Sequence, residues 1–191
     1  MRLTAGERLL ICLALVGLAH PAFCDEERAN EAVVHSSNDG ACYARSIPAG
    51  NEGDEGNTTV YWATDSNEIG IDHYPWYARS LTLHCGYRGS SIYLIRYGAW
   101  PRGHQASSSQ LALGFYADGE TVAEYSTLDI AVEPDNVLRS VSHYRVFQAI
   151  QGLTWCNQQT LFIATAADGR HLQFELAIGS MTELKDLSCL P

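Results

Sequence analysis

Two Asp-Gly pairs constrain this chain more than any other feature. "LALGFYADGETVAEYS" is centred on Asp118-Gly119, and "TLFIATAADGRHLQFELAIG" on Asp168-Gly169. Asp-Gly tolerates the positive φ angles that a tight turn between two twisted strands demands, so each pair predicts a β-hairpin. The flanks agree: Leu172, Phe174 and Leu176 fall on one face, with Gln173 and Glu175 on the other. The same period of two recurs upstream. "CYARSIP" alternates, "TTVYWAT" is β-branched and aromatic, and "SLTLHC" puts Leu81, Leu83 and Cys85 on one face. "EIGIDHYPW" reads as a strand with Ile69, Ile71 and His73 on one face, and "GYRGS" as a turn. "SIYLIRY" is apolar on both faces, as a strand central in its sheet would be.

The expected class is therefore all-β with minor α: a β-sandwich or irregular β-barrel of about eight or more antiparallel strands. The stretch "VEPDNVLRSVSHYRVFQAIQGLTW" has an ambiguous period. One short helix over His143–Gln151 fits it, with Ser142 as N-cap and Gly152 just past the end. The competing reading is a strand through Val141, His143 and Arg145.

Arg2 and Arg8 flank the apolar run "LLICLALVGLA", and small residues follow His20-Pro21. This is the pattern of a cleaved signal peptide over residues 1–24. Eleven apolar residues are too few to span a bilayer, which needs roughly 20, and no later segment approaches that length. Residues 25–40 read as a loose acidic lead-in, with a short helix over Glu26–Val34 as an option. Residues 41–191 read as a single β domain. Cys42, Cys85, Cys156 and Cys189 remain after cleavage. An even count in an exported chain predicts two disulfides, with three pairings open. None of the four has C-x-x-C spacing, so a zinc or redox motif has no support.

Cleavage would remove Arg2, Arg8 and Glu7, taking the formal net charge from −10 to −11. Such a chain is repelled by nucleic acid and by anionic membranes, and is drawn to basic proteins. No cofactor is expected.

Several segments look alike to blocks in other chains. "YARSIPAGNEGDEGNTTVY", "RYGAWPRGHQAS", "YSTLDIA" and "SVSHYRVF" resemble segments of a set of uncharacterised exported bacterial proteins. The resemblance covers most of Tyr43 to Gly179. It implies a periplasmic or secreted location and carries no activity, substrate or site residue.

The main candidate site is "IRYGAWPRGHQASSSQ". After Arg96, the breakers Gly98, Pro101 and Gly103 make Trp100, Arg102 and His104 the crown of an inter-strand loop. Loops on a rigid β scaffold commonly carry binding residues, and Trp and Arg are enriched at binding hot spots. An indole face beside a guanidinium suits a sugar ring carrying a carboxylate, or an acidic protein surface. Trp76, within "HYPWYAR", reads as part of an aromatic rim beside it. The structural alternative folds Trp100 back onto the sheet and spends the arginines on the chain's own carboxylates.

Other motifs are weaker. "GNEGDEGNTT" is acidic, but its spacing does not fit an EF-hand, and a solvated loop explains it. "SVSHY" holds Ser140, Ser142 and His143, without a G-x-S-x-G elbow or a carboxylate placed by spacing, so His143 reads as structural. His73, His84, His104, His143 and His171 are scattered singly, and no metal site is expected. The whole predicts an exported, non-catalytic binding or interaction domain. Its ligand would be an envelope glycan, a peptide or a protein, with inhibitor or immunity-type roles included. The alternative is a secreted hydrolase using dispersed carboxylates or a Ser-His pair.

Overall fold

The computed structural model describes residues 30–50, 55–63, 70–86, 91–185 and 189. The proposed signal peptide, the acidic run 51–54, Ile69 and residues 87–90 of the expected GYRGS turn lie outside them. The described residues form three four-stranded antiparallel meanders in chain order. The first sheet holds β1 (Val33–Ser36), β2 (Cys42–Ile47), β3 (Asn57–Trp62) and β4 (Gly70–Tyr74). The second holds β5 (Leu81–Cys85), β6 (Ile92–Tyr97), β7 (Leu111–Ala117) and β8 (Glu120–Ser126). The short helix α1 (Thr127–Ala131) and the two-stranded ribbon of β9 (Leu138–Arg139) and β10 (Tyr144–Arg145) follow. The third sheet holds β11 (Phe147–Cys156), β12 (Gln159–Ala166), β13 (His171–Glu175) and β14 (Met181–Glu183). The fold is all-β, and its sheets are open rather than closed into a barrel.

The middle sheet is buried on both faces, as the two-faced apolarity of β6 requires. Leu81, Leu83, Ile92, Leu94 and Tyr116 pack against Ala44, Val60, Tyr74 and Trp76 of the first sheet and the turn after it. On the opposite face, Ile95, Leu113 and Phe115 meet Phe162, Ala164 and Phe174 of the third sheet. Phe115 stacks on Phe174 with ring centroids 5.1 Å apart. A smaller cluster of Leu161, Ile163, Leu184 and Cys189 covers the outer face of β12, which explains why that strand is apolar on both sides. The sheets thus lie in three layers, with an apolar seam at each interface. Two disulfides staple them. Cys42–Cys85 (Cα–Cα 6.3 Å) joins the first sheet to the second, and Cys156–Cys189 (5.6 Å) ties the C-terminal segment to β11. Bridges of this kind belong to an oxidising compartment.

Both Asp-Gly hairpins are present, by different turns. Asp118 and Gly119 both have positive φ (49° and 83°), as a two-residue turn of this hand requires. In the second hairpin only Gly169 does (88°). Gly169 N donates to Ala166 O, closing a three-residue turn with glycine in the left-handed position.

Two sequence expectations are corrected. The helix over 143–151 is absent: Tyr144–Arg145 and Phe147–Cys156 are strands. Register shifts between Phe147 and Ala149, and between Ile150 and Gly152, insert Gln148 and Gln151 as extra residues in β11. Two bulges break the alternation that would have announced a strand, and Gly152 (φ 90°) serves the second bulge rather than a helix end. In β4, Ile71 and His73 share one face, the exposed one, while Asp72 and Tyr74 are buried on the other, and a bulge at Ile71 lies opposite Val60 and Tyr61. Finally, residues 33–36 of the supposed lead-in form β1, paired with Tyr43–Ser46 of β2. Val34 lies in that strand and not in a helix.

Candidate functional site

Gly98 sends the chain out of β6 tightly across the start of β7. Its N–H donates to Ala112 O at 3.0 Å, and a Cβ there would sit 1.7 Å from Leu111 O, so only glycine fits. Pro101 and Gly103 keep the next residues out of regular structure, and Gly103 adopts φ 101°. The loop then zips onto the segment before β10. Tyr144 N donates to Pro101 O (3.1 Å) and Gly103 N to Ser142 O (2.9 Å), forming a β-bridge between Arg102 and His143. His104 Nε2 donates to Val141 O (3.2 Å), and Arg139 Nε to His104 O (3.1 Å).

A buried polar network holds this crown from below. Tyr144, 1% exposed, shares a hydrogen bond with Thr127 Oγ1 (3.0 Å). The Thr127 hydroxyl also donates to Ser107 O (2.9 Å). Thr127 opens α1, whose N-terminus carries a capping box: Ser126 Oγ accepts from Asp129 N (3.1 Å), and Asp129 Oδ2 accepts from Ser126 N (2.7 Å). That short helix is a platform for the crown.

The crown presents Trp100. One indole face stacks on His143, with ring centroids 4.7 Å apart and planes at 28°; the residue remains 47% exposed. His143 is 3% exposed. Trp100 divides two grooves. One, of about 500 Å³, is lined by Trp100, Leu138, Arg139, Ser140 and Arg145. The other, of about 360 Å³, is largely apolar, and its lining includes Tyr97, Leu111, Val146, Phe147 and Ile150. Trp100 and Arg145 line both. Arg139 pairs with Asp135 (2.5 Å) on the surface. Among the described residues, no carboxylate lies in ion-pairing distance of Arg145.

The structure divides the sequence candidates into two groups. Trp100, Arg102 and His104 come together, exposed, on the crown. Arg96 and Trp76 do not join them. Arg96 is half-buried in the seam between the first two sheets, with its guanidinium 4.4 Å from the Trp76 ring centre and donating to Tyr77 O (3.3 Å). Trp76 is 9% exposed and packs on Tyr74 and Tyr116, so it forms no rim. Burial, and the Glu124 carboxylate that accepts its proton at 2.5 Å, push the Tyr116 hydroxyl well above the usual phenol range. Sequence reasoning missed Arg139 and Arg145 as site residues. The signal was the alternative strand through Val141, His143 and Arg145.

Ser142 Oγ and His143 Nδ1 share a hydrogen bond of 2.8 Å. The contact is between sequence neighbours, the imidazole is enclosed beneath Trp100, and neither residue lines either groove. No group of three or more His, Cys, Asp or Glu residues is close enough to hold a metal among those described, and no helix there is long and apolar enough to cross a membrane.

No protein-family model, curated protein or solved structure matches this chain.

Proposed function

We propose that this protein is an exported, non-catalytic binding domain of the bacterial envelope, and that the Trp100 crown is its recognition surface for an anionic ligand. One observation carries the reading. A half-exposed indole is propped on a buried imidazole at the junction of two grooves, with Arg145 in both. Large amphipathic rings held rigidly at the surface supply contact area at little entropic cost, and arginine forks match carboxylates. Three of the chain's few cations, Arg102, Arg139 and Arg145, gather here although the chain carries a net charge of −10. A local positive field on an acidic body favours small or extended anions over large acidic surfaces. Export rests on the signal-like N-terminus, the disulfides and the resemblance to exported bacterial proteins.

Titration of intrinsic tryptophan fluorescence with carboxylate-bearing oligosaccharides and peptides, and with their neutral counterparts, tests this. The anionic members should bind in a salt-sensitive manner, and Trp100→Ala with Arg145→Ala should abolish binding while lowering the melting temperature by no more than the few degrees that loss of the His143 stack costs. Binding that survives the double change would overturn the reading.

A hydrolase is the second reading, favoured by the Ser142–His143 contact alone. Covalent labelling of Ser142 by a fluorophosphonate would establish it. The enclosed imidazole, with no groove opening onto it, places it second.

A further inference from the structure

The two grooves differ in chemistry and share a wall, and that pairing specifies more than an anion. We infer that the ligand is the free C-terminus of an extended peptide, with its carboxylate at Arg145 and an apolar last side chain in the groove beside Phe147. This rests on the recognition reading given above. The apolar groove, about 360 Å³, lies at the small end of the range of ligand pockets, which suits one or two large side chains. Arg145 stands at its border, exposed and with no carboxylate in ion-pairing distance among the described residues. A terminal carboxylate offers the two parallel acceptors that a guanidinium fork takes best.

The main chain selects a peptide over an acyl chain or a sugar. Gln148, Ala149 and Ile150 line the apolar groove and are exposed. They belong to β11, at the edge of its sheet. Gln148 is the extra residue of a bulge, left out of the pairing with β12. Among the described residues β11 has no strand on its other side, so the backbone groups it turns away from β12 lie at the groove wall, and an extended peptide is the ligand that can use them. An acyl chain has no donors or acceptors for them. Bulges blunt an edge against indiscriminate strand pairing, so a short terminal segment fits here better than a whole added strand.

The test uses two pools of N-acetylated random pentapeptides ending in Leu, Ile, Val or Phe, one with free carboxylates and one amidated, with trigalacturonate and dodecanoate as comparators. The mature protein is titrated with each. The free-acid pool should bind and the amidated pool should bind at least tenfold more weakly. Arg145→Gln should erase that difference without moving the melting temperature, and Ile150→Asp should weaken the free-acid pool while leaving the acid–amide ratio in place. Equal binding of acid and amide overturns the inference. So does Trp100-dependent binding of trigalacturonate or dodecanoate with none of either pool, although recognition at the crown then stands. If no probe gives a Trp100-dependent signal, both readings fall.

Discussion

Trp100 lies almost flat on His143, the ring centroids 4.7 Å apart. The two residues have opposite exposures, 47% for the indole and 3% for the imidazole. The buried ring serves as a plinth: it fixes an exposed one that would otherwise sample several rotamers. His143 is itself fixed, since its backbone N–H donates to Ser140 Oγ (3.2 Å) and its Nδ1 shares a hydrogen bond with Ser142 Oγ (2.8 Å).

His143→Gln should therefore destabilise the fold by about 1–3 kcal/mol, because a buried, hydrogen-bonded group is replaced by one that cannot stack. Thermal melting would register this as a fall of several degrees. Ligand affinity should drop less than for Trp100→Ala. A variant with normal stability but abolished function would instead mark His143 as chemically active.

Arg96 and Arg145 should part company. Arg96 packs on Trp76 between two sheets, and Arg96→Met should cost about 1–3 kcal/mol through the lost cation–π and carbonyl contacts. Arg145→Gln, on the exposed ribbon, should stay within about 0.5 kcal/mol of the parent. Chemical denaturation of both variants measures this directly, and equal effects would contradict the two-group assignment.

Asp72 faces the Asp118–Gly119 hairpin across the first seam. It is 8% exposed, with Oδ2 lacking a hydrogen-bond partner. Burial first, and then the Asp118 charge, raise its pKa above the ordinary 3.8, while His73 opposes them. The folded state thus holds the proton more tightly than the unfolded chain. The stability this group contributes is whole below the unfolded pKa and is lost as pH rises through the higher folded value. Asp72→Asn, neutral throughout, should have a melting temperature that gains on the parent's as pH rises from about 3 to about 7. A constant difference across that range would show that Asp72 titrates normally.

Intact-mass analysis should find two bridges and no free thiol among Cys42, Cys85, Cys156 and Cys189. Replacing the Cys42–Cys85 pair by alanines should cost about 2–4 kcal/mol, since it unties one sheet from the next. Peptide mapping that returned other pairings would contradict the layer arrangement.

What could be read from the sequence was local. The Asp118-Gly119 and Asp168-Gly169 turns were legible because turn chemistry lies within four residues. Leu81, Leu83 and Cys85 were legible because their strand keeps unbroken alternation. The helix α1 left a readable mark, Ser126 with Asp129 three residues on, but its five residues carry too little periodicity to draw notice. Strand β11 was illegible for the opposite reason: two bulges erased its period, and Arg145 was lost from view beside it. Trp76 and Trp100 sit in similar aromatic, proline-containing stretches. Only the stacking of the first sheet on the second buries one and leaves the other out, and that is a contact between distant segments.

The central claim is that recognition happens at Trp100, and indole N–H resonances test it most directly. The chain has four tryptophans. Trp76 is buried and Trp62 is partly buried against the same seam, while Trp155, 72% exposed, lines a separate cleft near Asp39 and His84. In a titration of the tryptophan-labelled protein with the free-acid peptides and trigalacturonate, the Trp100 indole signal should shift progressively while the Trp62, Trp76 and Trp155 signals stay in place. A shift confined to Trp155, with Trp100 unmoved, would contradict the account and move the site to the opposite cleft.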